Sequence, residues 1–566
     1  MIQQSDHDLE VQKPSMKRLY LIIASLCVVS FLAAFDNIIV ASNTPLIASG
    51  KYDLNSYIGV LLMSETEFNG FGLYGWVNTA FLLTASTSQP LYGKCADMFG
   101  RRICFLFATC CYLIGAVLCG AAQSMVMLIV ARALCGLGIG AFDTLMKIVV
   151  ADYIPVRYIG MYQSMLGISW GLGYVVGALA GGIAAEKTGW RSVFWIALGF
   201  CVIALGLIFI AIEGHCNVYS EQMNQVDFVG VSLWCGGVVC LVLALSWGGT
   251  TFPWSNATII ALLCVAGALL ITFGVYEQKM AKDPIIPRGI FANRSSVLIL
   301  IAAFCYGGCF QSLMTYVPLY LSVIRQEPSM ASNLELLCLV LLACIFNVLT
   351  GLAIVKTGTY TWASRSSLCI LVIACGLLQL LNVDSSRGLI VGLMVVTGIG
   401  SGGMINSEII TAQASVCIEH VPSMVAFMTF CDQVGGITGI AAQGSVLSNT
   451  LATKLNSLQL PGVVPEQVRQ SSAYLWSLPE PTQSIVKDVY MQAVKKSFWG
   501  SFAFAAAGLV ATLGLKAYAM REDMNNVEPN TTTVSLDEKE GKSDHQDNTV
   551  NESTSSIREV YNIRKE

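Results

Sequence analysis

The chain has 566 residues, 55% of them hydrophobic and only 12% charged, with a mean hydropathy of +0.64. Soluble domains carry about 25% charged residues, so this composition excludes one. Apolar runs of about 20 residues, rather than alternating strands of about ten, imply an all-α integral membrane protein in the lipid bilayer. The net charge of −4 owes much to a charged tail, and nothing suggests nucleic-acid binding.

Residues 1–18 read as a cytoplasmic N-terminal segment. They lack the apolar core of a signal peptide, so the first span is itself the targeting signal. Lys17 and Arg18 hold that end inside. The first span, 19–41, carries Asp36, and an outer loop covers 42–71. Spans at 73–91 and 103–122 enclose a short polar stretch, 93–102. A connection this short makes the two spans antiparallel neighbours. Gly93 and Gly100 permit a tight turn, and Lys94, Arg101 and Arg102 favour the cytoplasm. Asp97 is expected near the start of the following helix, whose positive end stabilises a carboxylate.

The fourth span, 125–150, contains Arg132, Asp143 and Lys147, and an inner loop carries Arg157. A glycine-rich fifth span covers 159–184, and a sixth covers 192–212. Spans at 226–247 and 257–278 flank the sequon Asn256-Ala257-Thr258, a glycosylation site if that loop faces outward. After a basic loop, further spans are expected at 296–321, 334–355, 366–383, 388–411, 421–447 and 497–520. Residues 448–496 read as an outer loop, where Pro461, Pro465, Pro479 and Pro481 favour at most short helices. A disordered cytoplasmic tail is expected over 521–566.

The total is about fourteen spans, so both termini share a side, and the basic residues of the inner loops assign it to the cytoplasm. The stretch Gly351-Leu352-Ala353-Ile354-Val355-Lys356-Thr357-Gly358 partly echoes 93–102 but lacks the aspartate. Such an echo fits two related halves. The expected plan is an N-terminal six-helix bundle (19–212), two additional helices with a cytoplasmic loop (213–295), and a C-terminal six-helix bundle (296–520).

Charges inside spans are costly and are functional candidates by default. Asp36 suits either a structural hydrogen-bond anchor or a site for a proton or cation. A buried Arg132 keeps its charge and needs a carboxylate or carbonyl partner. Asp143 and Lys147 share a helical face and either neutralise each other or serve a site. Glu408 and Asp432 are the lone acids of their spans, and either would attract a cationic substrate. No histidine lies inside a span, so carboxylates would carry any coupled proton. The twenty cysteines lie mostly within apolar runs and read as small packers. No metal spacing, nucleotide loop or nucleophile–base set stands out. The expectation is therefore no metal, no cofactor and no enzyme activity.

Gly93, Asp97, Gly100, Arg101 and Arg102 resemble the signature G-x-x-x-D-x-x-G-R-[RK] between the second and third helices of the major facilitator superfamily. The resemblance implies that they form a cytoplasmic gate whose charge contacts make and break between states. Arg132 and Gly136 fit that family's fourth-helix R-x-x-x-G pattern. The run around Asp36 is similar to the first-helix L-D-x-x-I-V motif of its drug:proton antiporters with fourteen helices. Gly173, Gly177, Gly181 and Gly182 match the antiporter motif G-x-x-x-G-P-x-x-G-G, with Ala178 in place of proline; by residue type alone they permit close helix packing.

This resemblance implies a monomeric, proton-coupled antiporter that exports drugs or other organic, cationic compounds across the plasma membrane. Its partners would be a small-molecule substrate and protons, with Asp36 and Arg132 in coupling. The alternatives are a vacuolar transporter of basic amino acids and, behind it, a non-transporting membrane sensor.

Overall fold

The computed structural model describes residues 16–41, 74–187, 191–212, 227–249, 252–281, 284–325, 329–458 and 478–517. Among them run fourteen long helices and no strand. The first six are α1 (Met16–Ala41), α2 (Tyr74–Phe99), α3 (Arg101–Gly120), α4 (Met125–Tyr153), α5 (Val156–Lys187) and α6 (Arg191–Ala211). The next pair is α7 (Phe228–Trp247) and α8 (Ala257–Lys279). The last six are α9 (Arg294–Ile324), α10 (Ser329–Thr357), α11 (Thr361–Leu377), α12 (Arg387–Ala414), α13 (Val421–Leu458) and α14 (Glu480–Leu513).

Eleven of these helices are long and apolar enough to cross a membrane by that measure alone. The other three are α2, α5 and α14, diluted by hydroxyl residues, glycines and a charged first half respectively. In α2 the hydroxyls bond within the helix. Ser86 Oγ donates to the Leu82 carbonyl at 2.7 Å and Thr87 Oγ1 to the Leu83 carbonyl at 2.6 Å, which keeps those polar groups satisfied inside an apolar medium.

The first six and last six helices pack by the same scheme: first with fifth and sixth, second with fourth, third with fourth and sixth. Two local devices repeat with it. Gly100, between α2 and α3, has φ +86°, and Gly358, between α10 and α11, has φ +67°. An L side chain rarely adopts such a backbone, so glycine is what lets each connection turn so sharply. Arg102 Nη2 donates to the Phe209 carbonyl at the end of α6 (2.9 Å), and Arg365 Nη2 donates to the Leu515 carbonyl just past α14 (2.8 Å). In each bundle an arginine near the start of the third helix thus satisfies orphan carbonyls at the end of the sixth.

The bundles meet through α5 on α10 and α12, and through α13 on α2 and α4. Of the inserted pair, α7 packs against α2 and α13, one helix from each bundle, and α8 packs on α7. Trp234 of α7 touches both helices. Its Nε1 donates to the Thr87 carbonyl of α2 at 3.1 Å, and its ring lies 4.6 Å from that of Phe430 on α13.

Several expectations need correction. The stretch 93–102 is not a loop: α2 continues to Phe99 despite Pro90, leaving Gly100 alone between two helices. Asp97 therefore ends α2 rather than starting α3. Arg157 lies in α5, not in an inner loop. Of the expected outer loop 448–496, the part to Leu458 extends α13 and the part from Glu480 belongs to α14. Pro479 and Pro481 sit at the start of α14, where a missing N–H costs nothing. Residues 42–71, the tail 521–566, and Pro461 and Pro465 lie outside the described residues.

Candidate functional site

Asp36 and Arg132 meet inside the first bundle. Both are buried, at 2% and 0% exposure. Arg132 Nη1 donates to Asp36 Oδ2 at 2.9 Å and Oδ1 at 3.0 Å, and Tyr112 Oη donates to Oδ1 at 3.1 Å. The guanidinium also lies over the Phe81 ring, 4.2 Å from its centroid, a cation–π contact that strengthens away from water. Two helices, α3 and α4, thus place donors on the carboxylate of a third, α1. Gly173 of α5 lies close behind: a Cβ there would stand 2.3 Å from the Phe31 carbonyl oxygen of α1. Its lack of a side chain lets α5 lie directly on the helix that bears Asp36. Gly177, Gly181 and Gly182 continue along α5.

The gate-motif charges bind within the first bundle. Arg101 pairs with Asp97 at 3.0 Å and with Asp152, at the end of α4, at 2.8 Å. It also donates to the Ala96 carbonyl at 2.8 Å. The arginine therefore ties α2, α3 and α4 together at the basic end. Asp97 lies past the apolar run of α2. Burial raises its carboxyl to about 6, with Arg101 pulling the other way. The motif's contact with the second bundle is made by Gly93, packed on Ala426 of α13.

The polar contacts across the seam lie in the basic half of the helices. Ser164 of α5 donates to the Asn347 carbonyl of α10 at 3.1 Å, and Asn406 Nδ2 of α12 donates to both Ser164 Oγ and that carbonyl at 3.0 and 2.6 Å. Gly160 and Gly351 face each other so closely that a Cβ on the first would lie 3.1 Å from the Cα of the second. The described contacts thus join the bundles at the end that the basic residues assign to the cytoplasm.

A second charged group lies just above that seam. Lys147 Nζ is 3.8 Å from Asp143 and donates to Thr429 Oγ1 of α13 at 3.3 Å. Glu408 of α12 and Asp432 of α13 are within electrostatic reach of each other and of Lys147 and Asp143. Acids far apart in the sequence therefore come within electrostatic reach of one ammonium, which itself contacts Asp143 and Thr429. Asn256 stands apart from it. Its side-chain oxygen accepts from the Thr258 amide at 2.8 Å and caps α8, so the sequon is folded into a helix start.

Sequence reasoning missed three participants. Tyr112 was hidden in an apolar run. Asp152 carried a usable signal, being an acid at the basic end of a span. The Ser164–Asn347–Asn406 contact joins residues too distant in the chain to suggest one another. Among the described residues, no group of His, Cys, Asp and Glu could hold a metal ion.

The sequence and fold have known counterparts. The sequence model described as Major Facilitator Superfamily matches residues 26–440. The chain is 29% identical over 546 residues to the efflux pump FUS6 of Gibberella fujikuroi, covering 93% of this chain and 95% of that one. It is 31% identical over 458 residues to the efflux pump aflT of Aspergillus parasiticus, covering 80% and 86%. In fold it resembles the human organic anion transporter MFSD10, with TM-score 0.55 and 13% identity over 87% of this chain and 100% of that one. It also resembles the proton:xylose symporter XylE, with TM-score 0.53 and 12% identity over 88% and 95%. The chain is a multi-pass membrane transporter that belongs to the major facilitator superfamily.

Proposed function

We propose that the protein is a proton-coupled antiporter that exports organic, chiefly cationic compounds from the cytosol across the plasma membrane. It works as a monomer, by alternating access between the two bundles. The observation that carries this reading is the buried Asp36–Arg132 pair. Arg132 cannot give up its charge, so a proton and the guanidinium compete for one carboxylate. A helix movement that draws Arg132 away leaves Asp36 to take a proton; its return expels that proton. Proton binding and conformation are thereby linked.

Two further features support export of cations. The relatives FUS6 and aflT are named as efflux pumps. The cluster of Asp143, Glu408 and Asp432 gives a cation an electrostatic reason to enter between the bundles. Asp97, Arg101 and Arg102 keep the cytoplasmic ends of α2, α3, α4 and α6 in register, so that the first bundle moves as one body against the second.

The test is flux in vesicles reconstituted with the protein, using a panel of organic cations, neutral drugs and basic amino acids. Export of one class should follow an imposed pH gradient. Flux indifferent to the gradient would sink the coupling, and uptake confined to lysine and arginine would replace the substrate class.

A further inference from the structure

The ammonium that faces Glu408 and Asp432 comes from the opposite bundle. Glu408 is 5% exposed, and its Oε2 has no hydrogen-bond partner; neither has Asp432 Oδ1. Lys147 and Asp143 of α4 face this pair, as does Tyr306 of α9, whose hydroxyl is engaged with the Ser401 carbonyl at 3.2 Å. Lys147 is held across the seam by Thr429 at 3.3 Å while Asp143 flanks it at 3.8 Å. The ammonium thus contacts Asp143 and Thr429 and stands within electrostatic reach of two more carboxylates, each with a buried oxygen that has no hydrogen-bond partner. A buried charge without a partner is costly, so the pair is built to receive a second cation or to be rid of its first.

Resting on the export reading above, we propose that Lys147 is a tethered competitor of the transported organic cation. While the cytoplasmic ends are joined, its ammonium stands on Thr429, three residues before Asp432 on α13, and it leaves when they part. α4 and α13 belong to different bundles, so separating the ends at Gly93–Ala426 and Gly160–Gly351 also separates Lys147 from Thr429. The two carboxylates then face the cytosol without a counter-charge. An organic monocation, such as a protonated amine or a quaternary ammonium, restores the balance. When the ends close, the lysine returns to Thr429 beside the same carboxylates, and the two cations repel each other. The transported one is displaced toward the far side. Affinity is thus high facing the cytosol and low facing out, which is the asymmetry an exporter needs. A neutral compound receives no such push.

Equilibrium binding of ethidium, a probe monocation, to the full-length protein in lipid nanodiscs tests this without any proton gradient. Lys147→Met should bind ethidium about tenfold more tightly than wild type, and Lys147→Arg should match wild type. Adding Glu408→Gln to Lys147→Met should cancel the gain. Thr429→Val frees the ammonium from α13 without changing any charge. It should show a smaller gain, and it decides the matter if Lys147→Met does not fold. Unchanged or weaker binding in these two variants, or a gain that survives Glu408→Gln, overturns the proposal. Loss of gradient-driven flux in vesicles with this binding pattern intact would count against the export reading alone.

Discussion

Gly93 of α2 and Ala426 of α13 touch where the bundles meet: a Cβ on the glycine would lie 2.6 Å from that of the alanine. Cβ atoms do not approach so closely, so Gly93→Val should hold the cytoplasmic ends apart. A membrane-impermeant thiol reagent added on that side should then reach Ser164→Cys several-fold faster than when Gly93 is retained. Ala426→Gly in the same chain should restore protection. An unchanged labelling rate in Gly93→Val would show that closure does not depend on this contact.

Asp97 supplies a pH dependence at the same end. Its carboxyl stands raised to about 6, mainly by burial. Above that value it is ionised and pairs with Arg101; below it, the carboxyl is neutral and the ion pair is lost. The neutral carboxyl is nevertheless the form that burial favours, since it binds its proton more firmly in the joined state than in water. Acidifying the cytoplasmic side through pH 6 should therefore tighten the joint between α2 and α3 and slow labelling of Ser164→Cys. Asp97→Asn should label slowly at every pH. A wild-type rate that stays flat from pH 7 to pH 5 would refute this role.

Much of the architecture was legible in the sequence because apolar runs of spanning length separated by basic turns leave few topologies. The echo between 93–102 and 351–358 was legible too, and Gly100 and Gly358 share a positive φ because each sits in a very short connection, of one and three residues respectively. Helix ends were less legible. α2 runs on through Pro90, and α14 begins at Glu480 because its prolines fall at its N-terminus, where they do no harm. Asp36 and Arg132 stood out as costly charges in apolar surroundings. Their partner Tyr112 did not, since a tyrosine in an apolar run is unremarkable until its hydroxyl is seen to meet a carboxylate. The joining of Lys147 to Thr429, 282 residues apart, rests on how two bundles dock, and no local pattern encodes that.

Trp234 should matter for stability rather than chemistry. It pins the inserted α7 to the Thr87 carbonyl and to the ring of Phe430. Trp234→Ala removes a large buried side chain, a change that costs about 3–5 kcal/mol in well-packed cores. The purified variant should unfold at a clearly lower temperature in detergent. A melting curve matching wild type would mean that Trp234 does not hold α7 in place.

Tyr112 holds Asp36 in place alongside Arg132. Tyr112→Phe keeps the ring and loses only the donor to Asp36 Oδ1, a bond to a charged group worth about 1.5–3 kcal/mol. Gradient-driven flux should fall while the amount of folded protein in the membrane stays the same. Flux equal to wild type would leave the tyrosine as simple packing between α3 and α4.

The most direct test of the account is Asp36→Asn in reconstituted vesicles. Asparagine preserves the shape beside Arg132 but cannot exchange a proton. Net export driven by a pH gradient should be abolished, while exchange of labelled for unlabelled substrate without a gradient should continue. Gradient-driven export at the wild-type rate in Asp36→Asn would contradict the assignment of Asp36 and Arg132 to coupling.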